Sequence, residues 1–457
     1  MTVHDFFIDF ALASLLILVG QLLRSKLSIF QRFFIPASVL AGFMGLALGP
    51  NVLNILPFSD SIGSYAGLLI ILVFTVVGLN GFEIEVGGEG SQAKRIVGYQ
   101  IFKVIAWAIQ IFVPIVFTML ILKRFWPDLN DGFGLLMHSG FHGGHGTAAA
   151  VGQTFTDLGW PEASDIAITF ATIGILTGVF GGIALINIAA KKGQTAYLRD
   201  FKYVGGDLRT GLISKENRSS LGEETISSVS LDTLAFHLSL ILTIAGGSFL
   251  LNRWISDNLV SGIPDFTIAF LVALLFFIIM RKSSLYNYID KDINTRMSGT
   301  ATDYLVFFGI ASVRLDVVAA YAGPIVLSML LGWLLVVAVV YPLGKAYNKD
   351  SWFERAIFVA GYSTGVFAIG FVLFRIVDPG NISRTIEDTA MTPLTNIAEI
   401  AIWSAFPALL FSGQWMVAAG IALAILIGSA IATKVTGTWV LNVPDSERNV
   451  LANEKNK

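Results

Sequence analysis

Long apolar runs recur along the 457-residue chain and restrict its possible folds more than any other feature. A helix needs about 20 mainly apolar residues to cross the roughly 30 Å hydrocarbon core of a bilayer. The chain is 54% hydrophobic and only 14% charged, whereas about a quarter of the residues in a soluble domain are charged. We therefore predict an all-α polytopic membrane protein. Its eleven predicted spans lie at about 8–23, 34–56, 65–82, 99–122, 164–190, 233–252, 263–280, 302–318, 321–342, 393–412 and 415–433.

Net charge and cysteine content exclude several other classes. A net charge of −2 provides no basis for nucleic-acid binding. The chain has no cysteine, so it contains no disulfide, thiolate nucleophile or cysteine-ligated metal. No cofactor is predicted.

Two further apolar stretches, 132–157 and 353–376, are interrupted by glycine and small polar residues. In the first, four glycines lie between positions 140 and 146, and each costs about 1 kcal/mol relative to alanine in a helix interior. Unwound backbone within a bilayer is tolerated only where protein or a water-filled cavity satisfies its polar groups. We therefore predict two broken or re-entrant helices and a binding site at the first.

The distribution of basic residues predicts the orientation. With the N-terminus outside, 25 of the 30 lysines and arginines fall in cytoplasmic loops. Short cytoplasmic loops of membrane proteins are enriched in these residues. The assignment places the C-terminus and a charged linker in the cytoplasm. It also requires each broken segment to enter and leave on one side. We predict a multi-pass protein of the inner (plasma) membrane.

Short sequence pairs recur in the same order in the two halves. Ile35-Pro36 is paired with Ile263-Pro264, and the apolar segment ending at Asn80 with the one ending at Arg314. The two broken segments form the third pair. Five spans precede the linker, and an odd number makes the repeat inverted, as in many secondary transporters. The predicted divisions are an N-terminal repeat (1–190), a cytoplasmic linker (191–232), a C-terminal inverted repeat (233–412), and an extra span with a cytoplasmic tail (413–457).

Several motifs resemble the bacterial sodium/glutamate symporter family. Gly143-Gly144-His145-Gly146-Thr147 resembles the GGHGT stretch of that family, and Val77-Gly78-Leu79-Asn80 resembles its IGLN. The segments at 35–42 and 171–182 resemble its IPEPVAGG and ATFGLVLGGLIGG. In the second half the family has AGHCGFGLG, where this chain has Tyr362-Ser363 in place of the His-Cys pair. The resemblance implies sodium-coupled symport of glutamate or a related small carboxylate by a homodimer.

The two broken segments carry the predicted substrate site. Helix N-termini favour anions, and carbonyls freed by unwinding favour cations. Asn80 and Glu399 are predicted sodium ligands, although Asn80 could instead cap its helix and Glu399 could reach water. The predicted substrate-binding residues are Ser139, Gly143, Gly144, His145, Gly146, Thr147, Gly361, Tyr362, Ser363, Thr364 and Gly365.

Two alternatives remain open from the sequence. The altered second segment is compatible with another anion, such as a dicarboxylate or hydroxycarboxylate. His138, His142 and His145 have the i, i+4 and i+7 spacing of a helical metal site, which raises the possibility of an intramembrane metal-dependent enzyme. The intervening glycines weaken the continuous helix that such a metal site needs.

Overall fold

The computed structural model describes residues 3–32, 35–81, 90–198, 207, 210–259, 263, 265–365, 367–378, 382–389 and 392–440. It is 78% helical, and the described residues form no strand. The predicted all-α class is confirmed. The helices that we number are α1 Val3–Lys26, α2 Ser28–Arg32, α3 Ala37–Leu48, α4 Ser64–Asn80, α5 Gly90–Phe117, α6 Phe133–Phe141, α7 Gly144–Asp157, α8 Ala163–Lys191, α9 Thr233–Asn258, α10 Asp265–Met280, α11 Lys291–Ala311, α12 Leu315–Ala320, α13 Ala322–Leu335, α14 Trp352–Tyr362, α15 Phe367–Val377, α16 Thr385–Thr389, α17 Thr392–Phe411 and α18 Trp415–Thr436. Two further short α-helical segments lie at Lys123–Phe125 and Tyr341–Tyr347.

Six helical segments in the described chain are long and apolar enough to cross a membrane. Four further apolar helices are shorter, so fewer full-length spans are seen than the eleven predicted. The six are Val3–Lys26, Ala93–Phe125, Ala163–Lys191, Thr233–Asn258, Ala322–Tyr347 and Trp415–Thr436, and the shorter four are Ala37–Leu48, Ser64–Asn80, Asp265–Met280 and Ala398–Phe411.

The predicted span 34–56 is wrong in length. Among the described residues of this segment, only Ala37–Leu48 is helical. At 1.5 Å per residue this helix is about 18 Å long. Pro50 lacks the N–H needed to continue a helix. The chain instead turns back, and the N–H groups of Ile55 and Leu56 both donate to the Leu48 carbonyl at 2.9 Å.

The predicted span 302–318 is also wrong in its bounds. Helix α11 begins earlier, at Lys291, and ends at Ala311, after which the chain is non-helical until α12 begins at Leu315. The Asp165 carboxylate at the start of α8 accepts hydrogen bonds from the backbone N–H and the Nε of Arg314, at 3.0 and 2.8 Å. At this break the Asp165 carboxylate therefore takes the place of the helical carbonyl that would otherwise accept from the Arg314 N–H.

Both predicted helix breaks are present. The first is shorter than the glycine content suggested, because only His142 and Gly143 separate α6 from α7. Gly144 has φ +69°, a left-handed conformation that favours glycine. The second break follows Tyr362 and precedes α15. It stays a prediction that each broken helix enters and leaves on the same side of the membrane.

The helices pack as two groups that each draw on both halves of the chain. In the first group, α3 packs on α1 and α11, while α4 packs on α10 and α11. In the second group, α8 packs on α6, α7 and α14, and α5 packs on α18. Helix α7 joins the groups by contacting α4 and α11. The halves therefore interleave instead of forming separate domains.

Helices α5 and α13 share an unusual feature. Each continues into a π-helical turn, Thr118–Leu122 after α5 and Val336–Val340 after α13. A broken helix follows each of them, α6–α7 in the first half and α14–α15 in the second. π turns are rare and often lie at functional sites, and here one precedes each broken helix.

Candidate functional site

The two helix breaks meet at one point on α8. A Cβ atom added to Gly174 would lie 2.7 Å from the Thr364 carbonyl oxygen and 3.2 Å from the Phe141 Cα. One turn further along α8, a Cβ on Gly178 would lie 2.6 Å from the Thr364 Oγ1. Glycines on this face of α8 therefore allow the backbone at both breaks to approach closely.

Beside the breaks lies a group of polar side chains that we call the break cluster: Lys103, His138, His142, Tyr362 and Glu399. The Tyr362 hydroxyl donates to Glu399 Oε2 at 3.0 Å, and His142 Nε2 lies 3.6 Å from the same oxygen. The His138 and His142 rings stack with centroids 5.1 Å apart. The Lys103 ammonium lies 4.5 Å from the Tyr362 ring centroid. Four helices, α5, α6, α14 and α17, thus contribute to one cluster.

The break cluster is shut off from solvent. His142 and Glu399 are each 1% exposed, and Lys103 is equally buried. Charged groups in a membrane interior are costly and usually mark a functional site. Lys103 and Glu399 carry opposite charges, so the cluster can be electrically neutral as a unit while neither residue could be buried cheaply alone.

The predicted residues of the first break lie together but face different helices. His145 Nε2 is 3.0 Å from Thr172 Oγ1 on α8. The Ser139 hydroxyl donates to the Leu136 carbonyl within its own helix. A Cβ on Gly146 would lie 2.7 Å from Ile70 on α4. The other predicted residues here, Gly143, Gly144 and Thr147, lie at the break or in the first turn of α7.

The predicted residues of the second break differ in whether their hydroxyl groups have hydrogen-bond partners. Tyr362 belongs to the break cluster, while the Thr364 hydroxyl donates to the Ala360 carbonyl at 2.9 Å. The Ser363 hydroxyl is buried and has no hydrogen-bond partner within the described chain. Gly361 packs against the backbone of Gly370 in α15. The remaining predicted residue of this break, Gly365, packs against Ile369.

The two predicted sodium ligands have different partners. Glu399 lies in the break cluster, whereas Asn80 is held at the end of α4 by α11. There Asn80 Oδ1 accepts from Asn294 Nδ2 at 3.0 Å, and its Nδ2 contacts the Lys291 carbonyl at 3.3 Å. Sodium binding stays a prediction for both residues.

The three closely spaced histidines do not converge. His138 and His142 lie side by side, but His145 faces Thr172 beyond the break. In the described part of the chain, no group of three His, Cys, Asp or Glu side chains could hold a metal ion. The spacing of the three histidines therefore does not bring their side chains together.

A second buried ionic group lies at the start of α14. Asp388 on α16 accepts from Arg355 Nε and from Arg95 Nε, both at 2.9 Å. A further Arg355 nitrogen donates to the Ser383 carbonyl at 2.8 Å. These contacts tie α14 to α5 and to the segment that follows α15.

Sequence reasoning missed the roles of Lys103 and Asp388. Lys103 falls within the predicted span 99–122, and Glu399 falls within the predicted span 393–412. Charge compensation could have predicted that these two residues lie together, because a buried lysine and a buried glutamate each need a partner. Asp388 lay outside the predicted spans and carried no such signal.

The six long apolar helices define an integral membrane protein, and two helix breaks beside buried charges are typical of transport proteins. The model of the sodium/glutamate symporter family matches residues 4–373. The chain belongs to the sodium/glutamate symporter family. No curated protein matches it significantly.

Proposed function

We propose that this protein is a sodium-coupled symporter of glutamate or a closely related small carboxylate. The observation that carries the proposal is the meeting of the two helix breaks at Gly174, beside a buried group of opposite charges. Family membership supports sodium and glutamate as the transported species.

We propose that the substrate carboxylate binds at the residues of the two breaks, 143–147 and 361–365. Helix α7 begins at Gly144 and α15 at Phe367, and the N–H groups at a helix N-terminus attract anions. The Ser363 hydroxyl, which has no hydrogen-bond partner among the described residues, offers a further hydrogen bond. Carbonyls freed at the same breaks would coordinate sodium, as in transporters with discontinuous helices.

The matching π turns and the shared element order support an inverted repeat. We propose that α1, α3, α4, α5, α6–α7 and α8 correspond to α9, α10, α11, α13, α14–α15 and α17. In this arrangement α18 is the extra span, the linker 191–232 and the C-terminus are cytoplasmic, and the N-terminus is outside. A homodimer in the inner (plasma) membrane completes the proposal.

We propose alternating access by movement of one helix group against the other. Both breaks belong to the group built on α8, and α7 is its main contact with the group containing α4 and α11. Movement at this contact would expose the breaks to each side of the membrane in turn.

Transport by purified protein in liposomes tests the proposal. We expect labelled glutamate to accumulate when sodium is higher outside, and not under a proton gradient without sodium. Sodium-driven uptake of a dicarboxylate or hydroxycarboxylate in place of glutamate would support the fold and correct the substrate, with Tyr362-Ser363 as the determinant to examine. If no small carboxylate moves under a sodium gradient, the proposal fails.

Protection from labelling tests the site. Ser139 and Ser363 are both buried at the breaks, so cysteines there should react with a thiol reagent when the site opens and should be protected by the same substrate. Cysteines at Ser214 and Ser228, which are exposed in the linker, should react equally with and without substrate. Protection at Ser139 alone would show that the second break does not bind substrate.

A further inference from the structure

We propose that a group of buried polar side chains beside the first break binds the second carboxylate of the substrate. We call it the donor group, and it consists of Trp107, Gln110, His138 and Trp403. Such a subsite rests on the proposed symport function, in which the two breaks hold the first carboxylate. It narrows the proposed substrates to those that carry two carboxylates.

The polar atoms of the donor group lack partners although they are buried. Among the described residues, no hydrogen bond reaches either indole nitrogen, either polar side-chain atom of Gln110 or either ring nitrogen of His138. Trp403 is the most exposed of the four side chains, at 6%. An unsatisfied buried polar group is costly. Four of them close together therefore indicate a ligand that supplies the missing hydrogen bonds.

Two members of the donor group lie on one face of α5 that is fixed at both ends. This face carries, at i, i+4, i+7 and i+11, Lys103, Trp107, Gln110 and Pro114. At one end Lys103 belongs to the break cluster. At the other end a Cβ atom added to Gly134 of α6 would lie 2.6 Å from the Pro114 carbonyl carbon. Trp107 and Gln110, between these ends, therefore face the region where α5 meets α6 and the break cluster.

The other two members come from α6 and α17 at the level of Gln110. Helix α5 passes from the break cluster to Pro114, while α6 passes from Gly134 to the break cluster, so the two helices run antiparallel. Gln110 lies one turn before Pro114. His138 lies one turn after Gly134 and therefore at the same level. The centroid of its ring is 6.4 Å from that of Trp403 on α17.

The chemistry of the donor group suits an anionic oxygen. An indole N–H only donates, whereas a side-chain amide and a neutral imidazole both donate and accept. The group thus has more donors than acceptors, and its missing partner must accept hydrogen bonds. A carboxylate is such a partner, and its charge strengthens each bond. Lys103, one turn from Trp107 on the same face, and the co-transported sodium provide positive charge nearby.

The position of the donor group matches the length of a short dicarboxylate. His138 precedes His142, the first residue of the first break, by four residues, which is about one turn or 5.4 Å along the helix. A chain of four or five carbon atoms spans this distance. A substrate with one carboxylate at the breaks would leave the donor group unsatisfied.

Inhibition of uptake tests the subsite in liposomes with a fixed sodium gradient. Norvaline has a methyl group where glutamate has its distal carboxylate, and a site built for hydrogen bonds rejects an analogue that lacks them. Norvaline should therefore inhibit uptake of labelled glutamate at least about a hundredfold more weakly than unlabelled glutamate does. Equal inhibition by the two compounds would show that the donor group holds water only, and would overturn the proposal.

Variants that remove single hydrogen-bonding groups separate binding from a structural role. Trp403→Phe and Gln110→Met keep most of the side-chain volume, so the packing changes little. Each should weaken inhibition by glutamate about tenfold, because a hydrogen bond to a charged group is lost, and should leave inhibition by norvaline unchanged. Equal weakening of both inhibitors, or of neither, would overturn the proposal.

Trp160→Phe is the matched control. Trp160 is also 6% exposed, but its ring packs against Phe155 in the turn between α7 and α8, with centroids 5.5 Å apart. This variant should discriminate between glutamate and norvaline as the wild-type protein does. Loss of discrimination in Trp160→Phe equal to that in Trp403→Phe would contradict a specific role for the donor group.

Thermal unfolding of the full-length protein in detergent with sodium gives a readout that does not depend on transport. A ligand that binds the native state raises Tm. Glutamate should raise the Tm of the wild-type protein and of Trp160→Phe, with a smaller rise in Gln110→Met, and norvaline at the same concentration should not. Equal shifts with both compounds would overturn the subsite. Failure of sodium-driven uptake would instead reject the symport proposal, and the Tm shifts would still decide on the donor group.

Discussion

Gly174 lies against the backbone of Thr364, close enough that a single added carbon would stand 2.7 Å from the Thr364 carbonyl oxygen. The contact joins a helix of the first half of the chain to the break in the second half. It exists only because residue 174 has no side chain.

The Gly174→Ala substitution should therefore push the two breaks apart. Backbone atoms at Thr364 and Phe141 cannot rotate away as a flexible side chain could, so we expect a loss of stability of about 1–3 kcal/mol, typical of overpacking, together with reduced transport. Thermal unfolding in detergent and liposome uptake measure the two effects.

Gly246→Ala is the matched control, because in the described chain no atom beyond its own helix backbone and its chain neighbours lies within 4 Å of a Cβ at that position. It should be neutral or slightly stabilising, since alanine favours a helix. Equal behaviour of the two variants would contradict the close contact at Gly174.

Removing the charge of Asp388 should destabilise the protein strongly. Asp388 is fully buried between Arg95 and Arg355, and Arg355 is 1% exposed. Breaking a buried pair leaves an uncompensated charge and costs about 3–5 kcal/mol. Thermal unfolding of Asp388→Asn should show a clear fall in Tm, whereas Asp316→Asn, at an exposed position, should leave it nearly unchanged. An unchanged Tm in both would show that the pair does not hold α14 in place.

The orientation can be tested with single cysteines because the parent chain has none. Asp60 and Ser284 are both exposed, and the basic-residue distribution predicts that they lie on opposite sides of the membrane. In intact cells an impermeant thiol reagent should label Asp60→Cys from outside and should reach Ser284→Cys only after permeabilisation. The reverse pattern would invert the assigned topology.

The His145→Ala substitution should depress transport strongly. It removes the contact between His145 Nε2 and Thr172 Oγ1, which ties the start of α7 to α8 at the first break. Since a glutamine at 145 could still bond to the Thr172 hydroxyl, His145→Gln should retain part of the uptake. Initial rates of sodium-driven uptake in liposomes provide the comparison.

His4→Ala is the control for this prediction, because His4 is exposed. His237 is unsuitable. Its Nδ1 contacts the Thr233 carbonyl at 2.7 Å and its Nε2 accepts from the Asp290 N–H at 2.8 Å, so its loss should itself reduce stability. Uptake by His145→Ala equal to that by His4→Ala would remove His145 from the site.

The sequence alone determined the class of the protein and the positions of its two broken helices. Apolar runs report directly on a bilayer environment, and glycine clusters report on local helix instability. Both are local properties. The same local reasoning overestimated the span at 34–56, because hydropathy does not register that Gly49 and Pro50 end α3.

Only the tertiary structure decided which buried polar groups meet. Four different helices contribute Lys103, His142, Tyr362 and Glu399. Each of these residues lies within an apolar segment. The pattern of such a segment predicts that it is buried, but does not predict which other segment it contacts. A charge in a low-dielectric interior must be compensated, so the sequence could require that Lys103 and Glu399 have partners. Helix packing, set by small residues such as Gly174 that let backbones approach, decided that both charges lie at the two breaks.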